Sequence, residues 1–124
     1  MTDIRSLVSV VDDDESVRES LPDLLKELGF AVQAFSSAEE FLASEYLAKT
    51  QCLILDIAMP GMTGTELQLE LIRRGEKIPI VFITAQIDET VRRSVVKRGA
   101  VDCLFKPFTE AALLKALNAA LGVS

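Results

Sequence analysis

Leu7-Val8-Ser9-Val10-Val11-Asp12-Asp13-Asp14-Glu15-Ser16-Val17-Arg18 is an apolar run of strand length that stops at four consecutive acidic residues and passes into helical spacing. From Glu15 to Leu28, the residues Val17, Leu21, Leu24, Leu25 and Leu28 share one face. That is the 3.6-residue period of a helix with one buried side. Gly29 is placed to end it, as a residue free to adopt the left-handed conformation. Pro22 removes one backbone donor inside this helix, so a local distortion of its axis is expected.

The same strand-then-helix unit recurs outward from this stretch. Phe30 to Phe35 reads as a second strand, and Ser36-Ser37 ahead of Glu39-Glu40 gives two overlapping capping-box spacings for a helix over Ala38 to Tyr46. Gln51 to Leu55 is a third strand, nearly all apolar, followed by a loop from Asp56 to Thr63 and a helix from Gly64 to Arg74. Ile78 to Ile83 is a fourth strand with Pro79 at its start, where proline is tolerated. A helix over Asp88 to Arg98 and a fifth strand over Val101 to Phe105 follow. After Lys106-Pro107-Phe108, Thr109 caps a last helix with Leu113, Leu114, Leu117 and Leu121 on its apolar side. Five strands alternating with five helices predict an α/β fold: a doubly wound parallel sheet covered on both faces. Right-handed crossovers and five units favour the flavodoxin-like strand order 2-1-3-4-5. No linker or repeat breaks the pattern, so residues 1–124 are expected to form one domain.

Composition narrows the chemistry. The hydrophobic fraction is 49%, enough for a filled core, yet no apolar run approaches a membrane span. The opening Met1-Thr2-Asp3-Ile4-Arg5 lacks the pattern of a secretory leader, and a cytoplasmic protein with no membrane partner is expected. A net charge of −6 repels phosphate backbones, so direct nucleic acid binding is not expected. There is no histidine, which removes Ser-His-Asp and Cys-His sites and any zinc site that needs His. Cys52 and Cys103 lie inside apolar runs and read as reduced, buried thiols. Chemistry is left to carboxylates, Lys, Thr or a cation.

In open α/β sheets ligands gather at the carboxyl ends of the strands, near the switch point. Strand one ends in Asp12-Asp13-Asp14-Glu15, strand three in Asp56, strand four in Thr84 and strand five in Lys106. The predicted order makes strands one and three neighbours, so Asp12, Asp13 and Asp56 converge. Asp14 and Glu15 by themselves read as a solvated loop. Three crowded carboxylates need either protons or a cation. Oxygen-only ligation with open positions suits Mg²⁺, or Mn²⁺. Asp56, fixed at the end of a buried strand beside such an ion, is a credible nucleophile toward a phosphoryl group. The ion, the Lys106 ammonium and the Thr84 hydroxyl with a backbone N–H match the three oxygens of the transferred group.

These motifs resemble response-regulator receiver domains across the whole chain. Val10-Val11-Asp12-Asp13-Asp14-Glu15-Ser16-Val17-Arg18 is similar to their first-strand signature. Leu55-Asp56-Ile57-Ala58-Met59-Pro60-Gly61-Met62-Thr63-Gly64 is similar to their phosphoacceptor loop. Ile80-Val81-Phe82-Ile83-Thr84-Ala85, and Gly99-Ala100-Val101-Asp102 with Phe105-Lys106-Pro107-Phe108, complete the set in order. The last of these most resemble the FixJ-type subgroup. The resemblance implies that Asp56 is the phosphoacceptor and that Asp13 ligates Mg²⁺ directly, with Asp12 acting mostly through water. It implies the backbone carbonyl of Ala58 as third ligand, Lys106 against the phosphoryl group with a cis bond to Pro107, and Thr84 as the residue that moves. It implies a sensor histidine kinase as donor, slow self-catalysed dephosphorylation, and a surface of helix four, strand five and helix five that docks a partner or a second copy. Ala58 and Gln86 flank the site and are candidates for setting phosphoryl lifetime.

One position departs from the family pattern: Cys103 stands where an aromatic residue is usual. The space behind Thr84 is then open to a loop residue such as Ile87. The alignment also places strand four between the two cysteines, about 9.5 Å of sheet, beyond the reach of a disulfide at about 7 Å. Rival readings fare worse. A haloacid-dehalogenase-type phosphatase needs an Asp where Ala58 stands, and an FMN module needs a phosphate-cradling loop where four acidic residues stand. A pseudo-receiver that only binds partners is the serious alternative. FixJ-type proteins usually continue into a DNA-binding domain.

Overall fold

The computed structural model describes residues 5–122; the first four residues, read above as part of a start without a leader, lie outside them, as do 123 and 124. The elements run β1 (Leu7–Val11), α1 (Glu15–Glu27), β2 (Ala31–Phe35), α2 (Ala38–Leu42), a 3₁₀ turn (Leu47–Lys49), β3 (Cys52–Asp56), α3 (Gly64–Arg73), β4 (Ile80–Thr84), α4 (Glu89–Lys97), β5 (Asp102–Phe105) and α5 (Glu110–Ala120). The five strands are all parallel, in the order β2-β1-β3-β4-β5. The expected flavodoxin-like topology is therefore present.

Strand alternation divides the core into two layers. Val11, Leu53, Leu55, Ile80, Phe82 and Cys103 pack with Phe41, Leu67, Leu71 and Val95 from α2, α3 and α4. Val8, Val10, Cys52, Ile54, Val81 and Ile83 pack with Leu21, Leu25, Leu113 and Leu117 from α1 and α5. The central strands β3 and β4 are buried along their whole length, which is why they read as continuous apolar runs rather than alternating ones. Cys52 and Cys103 are both free and buried, on opposite faces of the sheet. Burial alone pushes the Cys52 thiol up to about 12.

Several element boundaries differ from the sequence reading by a residue or more, and two of them have a local cause. The second helix stops at Leu42, not Tyr46. The Ser44 hydroxyl accepts the Tyr46 N–H at 2.9 Å, a local bond that competes with helical continuation. β4 begins at Ile80, and Pro79, which has no N–H, supplies only its carbonyl, to Leu53. α1 runs unbroken from Glu15 to Glu27 with Pro22 inside it. No helix among the described residues is long and apolar enough to cross a membrane.

Candidate functional site

β1 and β3 are neighbours, paired Val11 with Leu55, so the residues just beyond them meet at one rim. Asp12, Asp13 and Asp56 each present a carboxylate oxygen within 4.8 Å of the others. Asp12 is fully buried, Asp56 nearly so, and Asp13 is exposed. Asp12 and Asp56 are held by their surroundings. One oxygen of Asp12 accepts the Asp14 N–H at 2.9 Å, and the Asp14 side chain caps α1. Lys106 sits just past β5, and its backbone N–H donates to the Thr84 carbonyl at 2.7 Å. From there its ammonium reaches back across the rim, 2.9 Å from Asp12 Oδ2 and 3.9 Å from Asp56 Oδ1. The Lys106–Pro107 peptide bond is cis, as the resemblance implies.

The electrostatics follow from this crowding. Burial first, then the neighbouring Asp12 charge, push the Asp56 carboxyl up to about 7, against the opposing pull of Lys106. One ammonium cannot neutralise three carboxylates, so the cluster has a deficit of positive charge. The donor set is hard oxygen throughout, and one member is open to solvent. Both properties fit a divalent cation such as Mg²⁺ that retains water.

Thr84 ends β4 at the same rim, 4% exposed. Its hydroxyl is turned to the following loop, accepting the Gln86 N–H at 3.2 Å and donating to the Gln86 carbonyl at 3.3 Å. Ala58 lies in the loop after β3, two residues beyond Asp56. Next to Thr84 a cavity of about 60 Å³ is bordered by Ala58, Gln86, Val91 and Cys103. Ile87, beside it in the loop, is 76% exposed.

Two participants escape a reading of the sequence. Arg18 Nη1 donates to the Asp12 backbone carbonyl at 3.0 Å and so braces the acidic turn. Its signal was a cation near the start of a helix, where the macrodipole disfavours one. Gly64 begins α3 so close to β3 that a Cβ there would clash with the Asp56 carbonyl oxygen.

The family model "Response regulator receiver domain" matches residues 8–118. The chain is a response-regulator receiver domain. This receiver domain is 43% identical over 121 residues to the response regulator protein TodT of Pseudomonas putida, covering 98% of this chain and 53% of that protein. It is 41% identical over 117 residues to the transcriptional regulatory protein FixJ of Azorhizobium caulinodans, covering 94% and 56%. Among solved structures, the crystal structure of FixJ-N superposes with a TM-score of 0.85 at 37% identity, over 98% of this receiver domain and 96% of that chain. The receiver domain thus spans about half the length of the two curated relatives. Phosphorylation by histidine kinases is the general role of receiver domains in two-component signalling.

Proposed function

We propose that this receiver domain accepts a phosphoryl group on Asp56 from the phosphohistidine of a sensor kinase, in a Mg²⁺-dependent reaction. The observation that carries the reading is the convergence of Asp12, Asp13 and Asp56, with the Lys106 ammonium within reach of Asp12 and Asp56. Asp13, Asp12 and the Ala58 carbonyl, with Asp56 itself, are the groups that would hold the ion. When bound, the ion supplies the positive charge the cluster lacks. An Asp56 oxygen forms a bond to phosphorus as the N–P bond of the donor breaks, its electron pair staying on the imidazole nitrogen. Deprotonated Asp56 is required, and a carboxyl poised near 7 is one that a nearby positive charge readily ionises. Lys106 is placed to move from Asp12 onto a phosphoryl oxygen, since it already lies within 4 Å of both carboxylates.

Thr84 couples the chemistry to the surface. Turning its hydroxyl toward the phosphoryl group gives up both contacts with Gln86. The loop 86–88 is thereby released, and Ile87 can fold into the space beside Thr84 and Cys103. Asp88 caps α4 by accepting from Thr90 and Val91, so loop movement passes directly to that helix. The surface of α4, β5 and α5 would respond by docking a partner or a second copy of the domain. In the longer proteins this family includes, the output would be transcriptional control, and the setting the cytoplasm.

Incubation with acetyl phosphate and Mg²⁺, followed by intact mass, tests the reading. A gain of one phosphoryl group that disappears in Asp56→Asn supports it. No gain with acetyl phosphate or with any kinase favours a pseudo-receiver.

A further inference from the structure

Glu39 and Glu40 stand at equivalent spacings behind Ser36 and Ser37, yet the fold uses them differently. Ser37 caps α2 by accepting the Glu40 N–H, and Glu40 turns back to accept the Ser36 N–H at 3.1 Å. That closes the helix end and leaves Glu39 free of capping duty. Its carboxylate instead reaches across 23 residues of sequence to accept the Met62 N–H at 3.2 Å. The same Oε2 atom lies 2.8 Å from where a Cβ on Gly61 would stand, and Gly61 has φ +71°. The carboxylate is therefore seated against the backbone of the loop that follows Asp56, at a residue whose positive φ favours glycine.

That loop leaves β3 at Asp56 and enters α3 at Gly64. Its near end is fixed by Ile57 N–H on the Ile83 carbonyl at 3.2 Å, and its far end by Gly64 N–H on the Ile57 carbonyl at 2.9 Å. Met59 is inserted in the core, 5% exposed. Glu39 ties the outer turn of the loop to a different helix.

We propose that Glu39 is a positioning residue: by holding Gly61–Met62 it fixes the loop that carries the Ala58 carbonyl, and so sets the affinity of the site for Mg²⁺ without touching the ion. This rests on the proposed role of Ala58 in ion binding. The bland reading is that Glu39 merely favours the α2 N-terminus through the macrodipole, as many exposed first-turn glutamates do. The two differ in what a glutamine does. Glu39→Gln keeps an acceptor oxygen at the same reach and loses the charge, whereas Glu39→Ala loses both.

The test is amide NMR on wild type, Glu39→Ala and Glu39→Gln, reading Met62 hydrogen exchange without metal and then a Mg²⁺ titration. Glu39→Ala is expected to speed Met62 exchange and weaken Mg²⁺ binding about three- to tenfold, the range one loop hydrogen bond spans. Glu39→Gln is expected to recover most of both. Unchanged Mg²⁺ affinity in Glu39→Ala, with or without faster exchange, overturns the proposal. Equal weakening in both variants also overturns it, because charge alone would then be responsible. If wild type itself binds no Mg²⁺, the reading of the whole site falls and this inference with it; a normal wild-type titration beside an unaffected alanine variant isolates failure of the Glu39 tie.

Discussion

Replacing Asp56 with asparagine should make the metal-free domain more stable, although it destroys the proposed acceptor. The reason lies in the crowding at the rim. The folded protein holds the Asp56 carboxyl at about 7 rather than 3.8, so folding raises its affinity for a proton by roughly 3 pK units, about 4 kcal/mol as a ceiling. An aspartate raised in this way behaves opposite to a salt-bridged one. Below about pH 4 folded and unfolded chains both keep the proton, and no penalty exists. As pH rises the unfolded chain ionises first, the penalty grows, and it is complete above about pH 7. Asparagine has nearly the same shape and no charge to desolvate. Water at the exposed Asp13 side of the rim screens part of the repulsion, so the expected gain at pH 8 is about 2 kcal/mol, half the ceiling. At pH 5 about a third of that should remain. For a chain of this length the pH 8 gain corresponds to a rise in Tm of about 8 °C. The assay is thermal and urea unfolding of both proteins in EDTA at pH 5, 6.5 and 8, repeated with Mg²⁺. Saturating Mg²⁺ should narrow the gap, because the ion relieves the wild type more. An asparagine variant no more stable than wild type at pH 8 in EDTA, or one whose advantage is the same at pH 5, would refute the account of a repulsive cluster.

Three further outcomes follow from the same geometry. Lys106→Ala removes the ammonium shared by Asp12 and Asp56 and should slow phosphorylation by acetyl phosphate about a hundredfold, read as the rate of mass gain; a rate within a factor of about two of wild type contradicts the role given to it. Protons and Mg²⁺ compete for Asp56, so the half-saturating Mg²⁺ concentration should rise about tenfold between pH 8 and pH 6; a flat profile by calorimetry would place ion binding elsewhere. Gly64→Ala forces a Cβ against the Asp56 backbone oxygen and should cost about 3 kcal/mol, visible in urea unfolding, whereas Gly75→Ala, with nothing within 4 Å of its Cβ, should cost only about 1 kcal/mol for its positive φ.

The parts of this molecule that could be read in advance are those fixed by strand periodicity and sheet topology. Asp12, Asp56, Thr84 and Lys106 each terminate an apolar run, and the parallel order leaves them one rim on which to meet. What could not be read depends on side-chain choices between near-equal options. Two adjacent glutamates have capping spacing, and only the folded turn decides that Glu40 closes α2 while Glu39 crosses to Met62. The early end of α2 hangs on the Ser44 hydroxyl competing for the Tyr46 N–H. Thr84 ends β4 as its apolar run implies, but its pairing with the Gln86 backbone is set by the conformation of the loop that follows.

The contact between Lys106 and Asp12 joins residues 94 positions apart, one just past β1 and the other just past β5. During synthesis, residues 7–56 can leave the ribosome long before Lys106 exists. A nascent or truncated chain ending ahead of the fifth strand would carry all three acids and no ammonium to hold them together. In order of synthesis the pocket thus gains its cation last, when the segment after the fifth strand comes to lie beside the acids that the first and third strands bring.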